Sequence, residues 1–114
     1  MTAESIARIV DAQFVCGESH ADRELDYAFA SDLMSDVLTV TQEKVLFITG
    51  LVAPQTIRTA MISDIHTILV VRGKTLPRSI VELAEENDLT VMASSFSMYR
   101  ASGELYKAGL SPVY

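Results

Sequence analysis

The chain has 114 residues, of which 49% are apolar and 21% are charged, and its formal net charge at pH 7 is −6. This length suits a single domain over residues 1–114 and excludes most multi-domain enzymes, while the apolar content excludes a disordered chain. The acidic balance argues against binding to nucleic acids or to anionic membranes, since both need a basic surface.

The first third of the chain alternates short helical and extended patterns. Thr2 is a candidate N-cap for a helix over residues 3–10, in which apolar side chains recur at helical spacing. Residues 12–16 predict a short strand, and the alternating residues 25–30 predict a half-exposed one. Ser31 or Asp32 is then expected to cap a short helix.

The rest of the chain has stronger periodicity. Continuous apolar strands are predicted over residues 44–49, 67–71 and 89–93. Amphipathic helices are predicted between and after them, beginning at Pro54, Pro77 and Met98. Strands that are apolar on both faces and alternate with amphipathic helices predict a three-layer α/β/α fold. We expect a largely parallel sheet of about four or five strands.

Methionine and tyrosine side chains recur at spacings typical of a core. We expect packing roles for Met34, Met61, Met92, Met98, Tyr99 and Tyr106.

Basic residues cluster in the middle of the chain. Residues 44–78 carry five basic residues and one acidic residue, whereas residues 11–43 carry eight acidic residues and one arginine. One interpretation is ordinary dispersion of surface charge. The other is an anion site at the carboxyl edge of the sheet, where open α/β folds bind ligands, with the backbone amides and the two cations of the Arg72–Lys74 turn meeting the anion. The candidate ligand-binding residues are Thr49, Gly50, Arg58, Arg72, Gly73, Lys74 and Ser94.

The patterns expected of common enzymes are missing. Gly73-Lys74-Thr75 follows a strand as a phosphate-binding loop would, but Ile68 stands where that motif needs a second glycine. The two histidines, His20 and His66, have no metal-ligand spacing, so neither a metal nor a cofactor is expected. We expect no enzymatic activity.

Two further features favour simple structural roles. Asp32 and Asp36 lie four residues apart on one predicted helix face. Over an acid–base or cation-binding pair, we favour simple roles, in which Asp32 interacts with the helix dipole and Asp36 is solvated. Cys16 is the single cysteine; it is expected to be a buried thiol, and its solitary state fits a cytoplasmic location. No signal peptide or membrane-spanning stretch is apparent.

Several segments together resemble the DRTGG domain. They are Phe29–Leu38, Leu46–Gly50, Pro54–Ala60, Ile68–Gly73 and Ile80–Asn87. DRTGG domains occur in phosphotransacetylases, in pyrophosphatases carrying CBS domains and as stand-alone proteins, and they are similar to the N-terminal domain of HPr kinase/phosphorylase. At the name-giving positions this chain has Val52-Ala53 in place of Asp-Arg, and Arg72-Gly73-Lys74 in place of Thr-Gly-Gly. The resemblance implies an α/β fold, homodimerisation and a regulatory or ligand-sensing role.

Three functional hypotheses follow. The first is a non-catalytic regulatory module that dimerises and binds a small anion, such as an adenine nucleotide or a phosphate metabolite. The second is an interaction or scaffold domain without a small ligand, whose partner is a second copy or another enzyme. The third, a small phosphotransferase or hydrolase, lacks the motifs it needs.

Overall fold

A computed structural model describes residues 1–114 as one six-stranded sheet with helices on both faces. The helices are α1 (Ala3–Ile9), α2 (Met34–Val37), α3 (Pro54–Ile62), α4 (Arg78–Glu86) and α5 (Met98–Lys107). The strands are β1 (Gln13–Cys16), β2 (Tyr27–Ala30), β3 (Val45–Thr49), β4 (Thr67–Val70), β5 (Thr90–Ala93) and β6 (Ser111–Pro112). A 3-10 turn spans Glu18–His20.

The strand order is β1-β5-β4-β3-β2-β6. Strands β2 to β5 run parallel in chain order, β6 is parallel to β2, and β1 is antiparallel to β5. The predicted largely parallel sheet is confirmed. The strand count was too low, because β6 is only two residues long and has no apolar run that marks it.

The sheet separates two apolar cores, and this confirms the three-layer prediction. One core packs α2, α3 and α4 against side chains such as Phe47 and Ile68. The other packs α1 and α5 against side chains such as Leu46 and Leu69 on the opposite face. Helices α2, α3 and α4 connect successive parallel strands on one face, and α5 carries the chain back across the other face to β6. No helix is both long enough and apolar enough to cross a membrane.

The cap at the first helix is confirmed and the cap at the second is wrong. Thr2 accepts a hydrogen bond from the amide of Ser5 and caps α1. Neither Ser31 nor Asp32 caps α2, whose N-cap residue is Leu33 without a side-chain bond. The reason is that the Asp32 carboxylate is bonded to β3 instead.

The core assignment of the methionines and tyrosines is confirmed only in part. Met34 and Met92 are buried, but Met61, Tyr99 and Tyr106 are 43%, 90% and 70% exposed. Cys16 is buried as expected, and this burial raises the pKa of its thiol.

Candidate functional site

The loops after β4 and β5 leave the sheet toward opposite faces. The chain leaves β4 for α4 on one face and leaves β5 for α5 on the other. Adjacent strands whose exits diverge in this way form a crevice at the carboxyl edge, which is the usual ligand site of open α/β sheets. The Arg72–Lys74 turn and the Ser94–Phe96 loop meet at this point.

Backbone hydrogen bonds join these two loops. The amide of Arg72 donates to the carbonyl of Phe96 over 2.7 Å, and the amide of Gly73 donates to the carbonyl of Ser94 over 2.9 Å. These two amides are therefore engaged within the protein, contrary to the expectation that they face an anion. What the turn presents outward is its pair of cationic side chains, Arg72 and Lys74, both of which are exposed.

The turn directs Arg72 back over β3. Arg72 and Gly73 both have left-handed backbone conformations, with φ of 71° and 65°. The guanidinium Nη2 of Arg72 lies 3.4 Å from the position that a Cβ on Gly50 would occupy. The absence of a side chain at Gly50 thus leaves a small open space beside the guanidinium group.

A carboxylate borders the same space. Oδ1 of Asp32 accepts hydrogen bonds from the amide of Gly50 (2.7 Å) and the hydroxyl of Thr49 (2.9 Å), and both carboxylate oxygens lie 3.6 Å from the Gly50 Cβ position. The Gly50 amide bond, with smaller contributions from Thr49, Arg72 and Lys74, holds the pKa of Asp32 below its usual range. Oδ2 has no hydrogen-bond partner within the protein. The structure thus brings four of the predicted residues, Thr49, Gly50, Arg72 and Lys74, around Asp32.

Two predicted residues have their side chains elsewhere. The buried hydroxyl of Ser94 donates to the carbonyl of Val10 over 2.6 Å, so it fastens the β5 loop to α1. Arg58 is exposed on α3 and forms no ion pair.

Sequence reasoning missed two residues of this edge. Asp32 was predicted to interact with the dipole at the start of a helix, although its place two positions after a predicted strand was a usable signal. Arg100, near the start of α5, stacks its guanidinium 3.7 Å from the ring centroid of Phe96 and adds a cation beside the β5 loop. No sequence pattern linked Arg100 to the Arg72–Lys74 turn; the link is Phe96, whose ring contacts Arg100 and whose carbonyl accepts from the Arg72 amide.

Both histidines lie at the opposite, amino edge of the sheet. A cleft of about 400 Å³ there is lined by residues that include Arg23, His66 and Asp88. His66 Nε2 lies 3.0 Å from Asp64, and Arg23 donates to the carbonyls of His66 and Asp88. These bonds tie the segments before β4 and β5 together.

Residues 5–108 match the family model of the DRTGG domain. The chain belongs to the DRTGG domain family. No curated protein matches its sequence.

The fold of this DRTGG domain is similar to that in the crystal structure of the CBS and DRTGG domains of the regulatory region of Clostridium perfringens pyrophosphatase, complexed with its activator, diadenosine tetraphosphate. The match has a TM-score of 0.68 at 15% sequence identity, and it covers 91% of this chain and 45% of that one. This chain therefore spans less than half the length of that structure, and the likeness establishes a shared fold.

Proposed function

We propose that this DRTGG domain is a non-catalytic regulatory module that binds a small phosphate-bearing anion at the carboxyl edge of its sheet. The observation that carries the proposal is the position of Arg72 over Gly50, beside the exposed Lys74 at the point where the β4 and β5 loops diverge. Adenine nucleotides and phosphate metabolites have the charge that such a cationic pair binds. The nucleotide activator of the pyrophosphatase regulatory region supports this class of ligand.

A binding role suits this cluster better than a catalytic one. General acid–base catalysis needs a group whose pKa lies near the working pH. Asp32 is the carboxylate of the cluster, and its pKa is lowered rather than raised. Both histidines lie at the other edge of the sheet. We therefore propose a sensor that uses no cofactor, and the single buried thiol of Cys16 fits a cytoplasmic setting.

Calorimetric titration with inorganic phosphate and AMP tests the proposed site. We expect Arg72→Ala to weaken binding of either probe by about tenfold or more, the effect of losing a charge-assisted contact. Arg58→Ala is the matched control, because it removes an exposed arginine outside the cluster and should leave affinity unchanged. Equal loss in both variants would indicate a general charge effect and would overturn the site, as would absence of heat with both probes.

We also propose that two copies associate through the α2–α3 surface. Leu38, Met61 and Ile62 are 50%, 43% and 74% exposed near the point where Ser63, just after α3, donates a hydrogen bond to the carbonyl of Val37. Tyr114, 78% exposed, extends this surface through its hydroxyl bond to Thr39. Exposed apolar groups gathered in one place are typical of a protein interface.

Light scattering combined with sedimentation tests the dimer. We expect a mass of two chains for the unaltered protein and of one chain for Ile62→Glu. Tyr99→Glu, on α5 of the opposite face, is the control and should stay dimeric. A monomer at micromolar concentrations in the unaltered protein would contradict the dimer.

The exposed surface also favours a second candidate function, an interaction domain that docks onto a partner enzyme without a small ligand. Affinity capture from native cells separates the two functions. The interaction function predicts that one enzyme is captured by the unaltered chain and by Arg72→Ala, but not by Ile62→Glu. If this result is obtained and phosphate and AMP give no heat of binding, the interaction function replaces the sensor.

A further inference from the structure

An apolar groove lies on the face of the sheet that packs against α1 and α5, and none of its lining residues belongs to the proposed anion site. It has a volume of about 190 Å³ and runs between α5 and β2. Its lining is formed by Ala28, Ala30, Ile48, Ser102, Leu105, Tyr106, Leu110 and Pro112. Because α5 packs over β3 while β2 carries only alanines on this face, the sheet is left uncovered here.

Ser102 of α5 forms part of the groove wall. Oγ of Ser102 is buried and makes no hydrogen bond within the protein. A buried hydroxyl without a partner is uncommon, since most such groups are satisfied by protein, water or ligand. The mostly apolar lining of the groove suits a flat, largely apolar ring.

The groove and the Asp32–Arg72 space lie along the same two strands, β2 and β3. Ile48 of β3 lines the groove, and Gly50 follows it by two residues, just after β3 ends at Thr49. Ala30 ends β2 two residues before Asp32. Followed along β2 and β3 toward their carboxyl ends, the order is therefore the apolar groove, then the Asp32 carboxylate beside Gly50, then the two cations of the Arg72–Lys74 turn.

This order matches the chemical order of a nucleotide. A base is flat and partly apolar, a ribose offers a vicinal diol that donates hydrogen bonds, and a phosphate is an anion. The free Oδ2 of Asp32 can accept from a diol, while its Oδ1 stays bonded to Gly50 and Thr49. A carboxylate at the carboxyl edge of a doubly wound sheet commonly plays this part toward ribose.

We propose that the groove between α5 and β2 receives the base of a nucleotide, that Asp32 binds its ribose diol, and that Arg72 and Lys74 bind its phosphate. The assignment rests on the proposed anion site and adds the ligand class to it. It also explains why a carboxylate lies in an anion site. Asp32 would repel a phosphate placed next to it, but it can accept hydrogen bonds from a ribose diol.

Three probes of increasing size separate the subsites. Calorimetry with inorganic phosphate, ribose 5-phosphate and AMP should show affinity that rises at each step, by about tenfold for the diol contacts and about tenfold again for the buried base. 2′,3′-Dideoxy-AMP lacks the diol and should bind about tenfold more weakly than AMP.

Two variants assign these steps to residues. Ala30→Leu fills the groove and should lower AMP affinity to that of ribose 5-phosphate while leaving the latter unchanged. Asp32→Asn keeps an acceptor for Gly50 and should remove the difference between AMP and its dideoxy form. Ala108→Leu, at an exposed position outside the groove, is the control and should change nothing. Thermal unfolding of each variant verifies that it folds.

The outcomes distinguish the two proposals. If AMP and phosphate bind equally, or if Ala30→Leu leaves AMP affinity unchanged, the nucleotide assignment is overturned and the anion site stands. If neither binds, both are overturned. Additive effects of Asp32→Asn and diol removal also overturn the role of Asp32.

Discussion

Asp32 makes the stability of the fold depend on pH. Its pKa is held below the ordinary aspartate value of about 3.9 by the Gly50 amide bond, with help from Thr49, Arg72 and Lys74. A carboxyl group of this kind stabilises the fold above its unfolded pKa and loses that contribution as pH falls through its folded pKa. We expect the free energy of unfolding to fall below about pH 4, and to fall less steeply for Asp32→Asn.

Urea denaturation from pH 7 down to pH 3 measures this difference. Asp36→Asn is the control, since Asp36 is exposed and its carboxylate makes no hydrogen bond. The unaltered protein and Asp36→Asn should show the same slope against pH. Parallel profiles for the unaltered protein and Asp32→Asn would contradict the role given to the Gly50 and Thr49 bonds.

Arg72 occupies a backbone conformation that costs stability. Its φ of 71° lies in the left-handed region, which costs a non-glycine residue about 1–2 kcal/mol. Arg72→Gly relieves this cost, though glycine adds entropy to the unfolded chain. We expect Arg72→Gly to be up to about 1 kcal/mol more stable than Arg72→Ala in chemical denaturation, while both lose affinity for phosphate. Equal stability of the two variants would argue against strain at this turn.

At the scale of the element, four helices end in the same way. After α1, α3, α4 and α5 a left-handed residue is followed by an apolar one whose amide bonds back to the helix, as in Leu89 to Ala84. Gly109 is the left-handed residue after α5, but Asp11, Asp64 and Asp88 hold that position after the others. A carboxylate at this position is also repelled by the negative end of the helix dipole, and this repulsion is destabilising.

The cost in stability of a left-handed aspartate at a helix end is best measured at Asp11, because Asp11 forms no ion pair. Asp11→Gly should raise the free energy of unfolding by about 1 kcal/mol. Asp11→Asn, which keeps the side-chain size and removes the charge, should raise it by less. Thermal and urea unfolding of the three proteins give the comparison, and destabilisation by glycine would show that the Asp11 side chain contributes a favourable contact.

These helix ends show what local sequence can and cannot predict. Periodicity placed the five helices and five of the six strands, because burial of one helix face or of a whole strand leaves a repeating pattern. The aspartate terminators were missed, since aspartate more often begins a helix than ends one. The hydrogen bond from the Gly50 amide to Asp32 was missed because it joins residues that follow two different strands, β3 and β2. Strand β6 was missed because two residues are too few to show a period.

At the scale of the whole molecule, the outer edge of β6 is closed to further strands. The amides of Ser111 and Val113 turn inward to Asp26 and Ala28 of the β2 side, so residue 112 faces outward. Pro112 has no amide hydrogen to offer there, and proline on an edge strand discourages pairing with another chain. A second copy at this end of the sheet would therefore associate through side chains, which agrees with the proposed α2–α3 surface.

The two cores share one sheet, so they should unfold together. Ile68 and Leu69 are neighbours in β4, both fully buried, but Ile68 packs toward α3 and α4 and Leu69 toward α1 and α5. Each change to alanine should cost about 2–5 kcal/mol, a large part of a typical total of about 5–15 kcal/mol. Both layers of helices pack on the same sheet, so loss of β4 from the sheet removes the support of both. Each variant should therefore lower the melting temperature while the protein still unfolds in one transition. Far-ultraviolet circular dichroism and hydrogen exchange on both faces should report that same transition. A variant in which one face loses protection while the other keeps it would show that the two cores are separate cooperative units.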